Sequence, residues 1–398
     1  MNNTLRLNSL FLFLARLSAQ AMAVLFTAIL ARKLGVQDFG RFAYIGSMIF
    51  IGNTFTNFGT DTYLVRETAR VEKPPEEASR SLSLQLFLSV IYCASMLALR
   101  DTSLFVYCLA LFPLTVFSIN NALLRALGRF GVFWFLSLAN SLLQVLAAVL
   151  SWDVSSLCLF LLSGQVLVSG LSLLICRASL PSFSLFPLKE FRPIFRLVLP
   201  FAALTILLVL IQRLGILFTS ILLDEKSTGL FSAIVRIIEG LKLGHYAILG
   251  ALLPILSKGG RDSRQSFRHA FALLMCVSFI FVLLLIMFSQ PILSFLFGAE
   301  FLPASPALPI LGWSLIPYTL SSFISYDLIA RGLEGVVVRS AFLSLLIYVI
   351  LYLMLIPSSG LIGAVQSALW GEWAQGVVFT FLYLSAIRSE NVVTPDES

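Results

Sequence analysis

Charge is what this sequence has least of. Only 12% of its 398 residues are Asp, Glu, Lys or Arg, where a soluble globular domain carries about 25%. Histidine occurs twice, and the five cysteines (Cys93, Cys108, Cys158, Cys176 and Cys276) make no C-x-x-C pair. Metal sites and disulfide frameworks have no support in such spacings, and the cysteines read as small buried hydrophobes. No metal, cofactor or catalytic constellation is expected. Long polar segments are missing too. The longest loops, 61–80 and 177–196, are about twenty residues each, too short for a second domain.

Hydrophobic residues fill what those shortages leave. They make up 59% of the chain, and the mean hydropathy is +0.95. A chain this apolar cannot cover itself with polar surface in water and needs lipid as its solvent. A bilayer core of roughly 30 Å takes about 20 apolar residues in a helix. Twelve such runs are present: 9–31, 39–60, 81–99, 103–124, 132–151, 155–176, 197–222, 229–256, 269–291, 303–329, 336–357 and 361–387. Turn and charge signals separate them, among them Lys73-Pro74-Pro75 and Lys258-Gly259-Gly260-Arg261. Ala19-Gln20-Ala21 imitates a signal-peptide cleavage site. The apolar stretch continues past it to Leu30, so the first span reads as a retained helix.

Basic residues give an orientation, because Lys and Arg concentrate on the cytoplasmic side. With a cytoplasmic N-terminus, the outside segments hold only Arg32, Lys33, Arg41, Arg100 and Lys226 of the 27 basic residues. Most others fall in inside segments, which puts both termini in the cytoplasm. The net charge of +7 then needs no nucleic-acid partner.

The chain repeats itself. Leu25-Phe26-Thr27-Ala28-Ile29-Leu30 returns as Leu217-Phe218-Thr219-Ser220-Ile221-Leu222, and Gly40-Arg41-Phe42-Ala43-Tyr44-Ile45 as Gly229-Leu230-Phe231-Ser232-Ala233-Ile234. Six spans separate the copies, so both run the same way through the membrane. That pattern predicts an all-α integral membrane protein of about twelve transmembrane helices in two parallel six-helix lobes. The expected division is an N-terminal lobe at 1–180, a cytoplasmic linker at 181–196 and a C-terminal lobe at 197–398.

A cation at mid-membrane costs about 2.5–3.5 kcal/mol on insertion scales and faces a partner or a wet cavity. Arg16, Arg213, Arg236 and Lys242 fall within spans. Helix 8 of the count carries Arg236, Glu239, Lys242 and His245 at i+3 spacing. Glu239 can pair with Arg236 or Lys242, leaving an excess of positive charge. A cationic cavity between lobes fits this set. The alternatives are packing ion pairs or, for Arg16 especially, a side chain reaching the bilayer boundary. Polar faces run along helix 2 (Asn53, Asn57, Thr60, Asp61), helix 5 (Ser137, Asn140, Ser141, Gln144) and helix 10 (Ser314, Tyr318, Ser321, Ser322, Ser325). Such faces line water or bind helices together. Glu239, Glu372, Asp61 and Asp327 are the candidates for binding a coupling proton or sodium ion. Asp61 and Asp327 lie near cytoplasmic ends, where a solvated carboxylate needs no further role.

The stretch from Ile29-Leu30-Ala31-Arg32-Lys33-Leu34-Gly35 to Asp38-Phe39-Gly40 resembles the polysaccharide flippase family. These are Wzx-type O-antigen and repeat-unit transporters of the multidrug/oligosaccharidyl-lipid/polysaccharide (MOP) exporter superfamily, to which the MATE transporters belong. Phe58-Gly59-Thr60-Asp61 through Val65-Arg66-Glu67-Thr68-Ala69-Arg70 resembles the family's ending of helix 2. Leu199-Pro200, Gly229 to Arg236, Leu253-Pro254-Ile255-Leu256-Ser257 and Phe297-Gly298-Ala299-Glu300-Phe301 continue the likeness in order. It implies a MATE-like fold and export of an isoprenoid-diphosphate-linked oligosaccharide across a bacterial plasma membrane by alternating access. Arg213, Arg236 and Lys242, with Arg16, would attract the diphosphate. Asn53, Asn57, Asn140 and Gln144 would solvate sugars. The expected partners are the lipid-linked oligosaccharide, membrane lipid and a proton or sodium counter-ion, and a monomer is expected. Relatives often carry an acid two residues after the helix 7 arginine, where this chain has Arg213-Leu214-Gly215, so an ion role there does not transfer. A cation-coupled drug exporter would favour acidic cavity residues. A membrane glycan polymerase or ligase would need a sizeable outside loop bearing Arg, His or Asp, and the outside loops here are short and lack His.

Overall fold

In a computed structural model of the chain, residues 3–68, 74–176, 191–256 and 261–393 are described. Every regular element among them is helical. The α-helices are α1 (Asn3–Asn57), α2 (Thr60–Thr68), α3 (Pro74–Met96), α4 (Thr102–Cys108), α5 (Leu111–Ala126), α6 (Phe130–Leu150) and α7 (Val154–Cys176). They are followed by α8 (Phe191–Leu222), α9 (Glu225–Leu256), α10 (Arg261–Leu296), α11 (Ala307–Gly312), α12 (Leu315–Ala330) and α13 (Glu334–Val393). Short 3-10 turns lie at Leu97–Leu99 and Ala299–Ala304.

Nine stretches among the described residues are long and apolar enough to cross a membrane. Two of them, Leu14–Asn57 and Glu334–Arg388, have 44 and 55 residues, about twice what one crossing takes. Each is broken by a glycine. Gly35 adopts φ 74, ψ 178 and Gly360 φ 58, ψ −134, backbone states that a Cβ excludes. Each stretch is therefore two crossings joined at a kink. Helix α9 adds another, its 32 residues running about 48 Å. Arg236, Glu239 and Lys242 are what keep it out of the apolar set. The chain is an all-α, multi-pass membrane protein with about twelve spanning helices.

Cα proximity divides it into Met1–Val209 and Leu210–Ser398, the division falling inside α8. In the first unit, Leu64, Leu82, Ile119 and Leu123 join α2, α3 and α5. Phe117, Leu124, Leu136 and Val168 join α5, α6 and α7. In the second, Leu249, Leu252, Leu274 and Phe323 join α9, α10 and α12. Outward positions hold large apolar side chains such as Leu174, Met287, Phe295 and Phe381, as a lipid-facing surface requires. Three buried threonine hydroxyls are satisfied within their own helices: Thr115, Thr219 and Thr319 donate to the carbonyl four residues back at 2.8, 2.6 and 2.7 Å. Of the expected 181–196 linker, 181–190 lies outside the described residues.

The two units break one crossing in the same way. α5 and α12 are 16 residues each, and each follows a short helix after a two-residue step, Leu109-Ala110 in one and Trp313-Ser314 in the other. The cause is a proline at the third residue, Pro113 and Pro317, which has no N–H to donate back into the preceding turn. Both helices end on the same motif. Arg129 N–H donates to Leu124 O and Gly128 N–H to Arg125 O; Leu333 N–H donates to Leu328 O and Gly332 N–H to Ile329 O. The glycines have φ 69 and 75, the left-handed cap that closes a helix. Other turns use aspartate, whose carboxylate accepts a backbone N–H of the next helix: Asp101 from Leu104 at 3.1 Å, Asp153 from Ser156 at 2.8 Å and Asp224 from Ser227 at 2.6 Å.

The polar face expected along helix 2 is interrupted. Phe58 and Gly59 have φ 47 and 76 and end α1, so Asn57 and Asp61 do not share one continuous helix face. The run read as 303–329 likewise opens with the turn at Ala299–Ala304 and crosses from Ala307.

Candidate functional site: a charged cluster in the second unit

Helix α9 places its charges where three neighbours meet them. Arg213 on α8 is 6% exposed, and its Nη1 lies 3.4 Å from Glu239 Oε1. The other Glu239 oxygen, Oε2, accepts from Arg236 Nη1 at 3.2 Å. One carboxylate thus stands between two guanidiniums. A turn further along, Lys242 Nζ lies 2.5 Å from Glu372 Oε1 on α13 and 4.1 Å from the centroid of the Tyr318 ring on α12. The next step is His245, buried at 1% exposure. Its Nε2 is 2.8 Å from Thr319 Oγ1 and 3.0 Å from Ser278 Oγ, and those hydroxyls are 2.9 Å apart.

Three cations, Arg213, Arg236 and Lys242, therefore face two carboxylates, Glu239 and Glu372. The i+3 spacing invites Lys242 to share Glu239, yet it finds Glu372, 130 residues away. Glu372 Oε2 is buried without a hydrogen-bond partner among the described residues. Around it α13 supplies Tyr348 and Tyr352, stacked at 6.2 Å. Gly371, beside Glu372, makes room for the Tyr348 ring, which a Cβ there would overlap. At Gly215, where the family resemblance sets the expectation of an acid, a Cβ would lie 2.6 Å from the Tyr352 hydroxyl and 2.8 Å from the Phe231 ring. An aromatic contact occupies the space an acid would take.

The remaining candidates lie elsewhere. Arg16 is exposed on α1 in the first unit, and Asn53 is half-buried on the same helix. Asn57 Nδ2 donates to Ser118 Oγ at 3.1 Å, and Ser118 donates to Asp61 Oδ1 at 2.7 Å. Arg125 Nη2 is 3.8 Å from Asp61 Oδ2. Asn140 and Gln144 line a pocket with Tyr107 and Gln165, roomy enough for a water molecule. Asp327 accepts from Arg331 and from the Tyr383 hydroxyl, both at 2.8 Å. Sequence reasoning did not single out Ser118, Arg125 or Gln165, since nothing in their local spacing names their partners. Among the described residues, no group of three or more His, Cys, Asp or Glu is placed to hold a metal ion.

At two turns outside the spans the electrostatics follow from the caps. Hydrogen bonds from Ser156 hold the Asp153 carboxyl below its usual range, and Ser227 does the same for Asp224.

A family model described as "Polysaccharide biosynthesis protein" matches residues 29–306. The solved structure of the lipid II flippase MurJ in an inward closed conformation is 17% identical, with a TM-score of 0.74 over 94% of this chain and 87% of that one. An inward-facing multidrug resistance MATE family transporter of the MOP superfamily is 13% identical, with a TM-score of 0.75 over 94% and 96%. A MOP superfamily transporter from Pyrococcus furiosus, whose description speaks of a binding pocket of reverse polarity, is 18% identical, with a TM-score of 0.66 over 98% and 97%. No curated protein matches. The fold is that of MOP superfamily transporters, and these matches are flippases and transporters rather than enzymes.

Proposed function

We propose, for a chain that belongs to the polysaccharide biosynthesis protein family, that it moves an isoprenoid-diphosphate-linked oligosaccharide from the inner to the outer leaflet of a bacterial plasma membrane by alternating access. The cargo would be an O-antigen, capsule or exopolysaccharide unit. Both termini would be cytoplasmic, and the protein would act as a monomer.

One observation carries the reading: three cations and two carboxylates gathered among the helices of the second unit. A diphosphate is the cargo chemistry that matches them. Guanidiniums present planar donor pairs to phosphate oxygens, and ammonium adds a mobile point charge. In the empty protein Glu239 and Glu372 neutralise most of that charge, which keeps isolated cations out of the low-dielectric interior. An arriving diphosphate takes over the cations and releases the carboxylates. Either carboxylate is then a place for a counter-ion, a proton or sodium. Arg16 would add attraction from the first unit. Asn53, Asn57, Asn140 and Gln144 would hydrogen-bond sugar hydroxyls, and the prenyl tail would stay in lipid.

The likeness to an inward-facing multidrug MATE transporter favours a second reading, a cation-coupled drug exporter. The excess of basic over acidic groups in the cluster argues against a cationic drug as cargo.

Charge reversal at Arg213 and Arg236, made separately and compared at equal membrane abundance, tests the proposal. The expected result is loss of surface polysaccharide and accumulation of lipid-linked intermediates on the cytoplasmic side. Normal polymer from both variants would discard the diphosphate reading.

A further inference from the structure

Cys93 and Cys108 lie on opposite arms of the hairpin between α3 and α4. Their sulfurs are 2.9 Å apart, and Cys93 Sγ is also 3.3 Å from the Cys108 carbonyl oxygen. The two side chains are at the same depth: each is seven residues from its end of the Arg100–Asp101 turn. That turn is well defined. Arg100 is left-handed (φ 54), its N–H donates to Leu97 O at 3.2 Å, and Asp101 caps α4. Beside Cys93, the Tyr92 hydroxyl donates to Met48 O at 2.7 Å and ties α3 to α1. Cys158, Cys176 and Cys276 make no comparable sulfur contact among the described residues.

We propose that Cys93 and Cys108 are joined in a disulfide in the mature protein. A disulfide bond is about 2.05 Å long, so closing the gap asks roughly 1 Å of the side chains and leaves the hairpin in place. The chemistry needs an acceptor for two electrons, here a thiol oxidase that carries a reactive disulfide. The Cys93 thiolate attacks that disulfide and displaces one oxidant thiolate. The Cys108 thiolate then attacks Cys93 Sγ and displaces the second, leaving the bond between Cys93 and Cys108 and a reduced oxidant dithiol that carries the two protons the cysteines gave up. With exposures of 5% and 0% the sulfurs are out of reach once the hairpin has packed, so the exchange belongs to insertion and folding. Such bonds persist on the oxidising side of a membrane. The inference therefore rests on the orientation proposed above, which sets the Arg100–Asp101 turn outside.

Membranes are dissolved in denaturant with light N-ethylmaleimide, then reduced and labelled with the heavy reagent before peptide mass analysis. The disulfide predicts heavy label on Cys93 and Cys108 and light label on Cys158, Cys176 and Cys276. In C93A, Cys108 becomes light. Light label on both residues in the wild-type chain overturns the proposal, as does heavy label persisting on Cys108 in C93A. Orientation is read separately, by a membrane-impermeant maleimide on R100C in a chain lacking the native cysteines. External labelling of R100C together with light Cys93 and Cys108 would sink the disulfide and leave the orientation standing.

Discussion

Replacing Glu372 by Gln leaves Lys242 charged in a place where it is only 17% exposed, against a partner that was 13% exposed. Removing one member of a buried ion pair costs about 3–5 kcal/mol, because the other charge stays out of water without compensation. The Tyr318 ring 4.1 Å from Nζ offsets about 0.5–2 kcal/mol of that. E372Q should therefore lose about 1–4.5 kcal/mol of stability. The double variant K242M/E372L removes both charges and keeps the volume, and by the same principle should return close to wild type. Reversible unfolding of all three proteins in the same micelles measures this. E372Q as stable as wild type, or a double variant no better than E372Q, would refute the reasoning. Transport then separates two roles for the pair. A stable double variant that cannot restore surface polysaccharide places the pair in the cargo path; full restoration makes it a packing element and weakens the diphosphate proposal.

Gly371→Ala sets a methyl group into the Tyr348 ring and should cost about 1–3 kcal/mol by overpacking; Tyr348→Leu in the same chain should recover part of it in thermal unfolding, and an unaltered G371A would count against the contact. Asp224→Ala removes a helix cap worth about 0.5–2 kcal/mol. Because the folded carboxyl is held below its usual range, the cap is fully present at neutral pH and fades as pH falls below the ordinary carboxylate value. The stability gap between wild type and D224A should accordingly be level near neutrality and close in acid; a gap that widens in acid would contradict the sign.

Much of the fold could be read from the chain because a bilayer imposes a length. Helices α6 and α7 fall on runs 132–151 and 155–176 with little adjustment. Gly35 was legible as part of a motif, and its φ of 74 supplies the physical reason a glycine belongs there. The interior breaks were harder. Pro113 and Pro317 are plain in the sequence, but apolar residues flank both, so hydropathy runs straight through the steps they cause. The site was legible in its cations and less so in its pairings. Arg236 and Glu239 are one helical turn apart and meet as periodicity suggests. Lys242 and Glu372, or Arg125 and Asp61, meet only because distant helices pack together, and nothing in local spacing specifies that.

The shared Pro113 and Pro317 breaks mark a duplicated unit, and the duplicates have not kept the same chemistry. The offset that aligns Gly40 with Gly229 also sets Ser47, Phe50, Asn53 and Thr56 against Arg236, Glu239, Lys242 and His245. Likewise, the offset that pairs the prolines sets Leu114 against Tyr318, the aromatic beneath Lys242. At these five positions the earlier copy has neutral side chains where the later one carries the cluster's charges, His245 and Tyr318. On the proposed function, a descendant of this chain would exchange its cargo by rewriting a few residues of the later copy, with the earlier one left as it is.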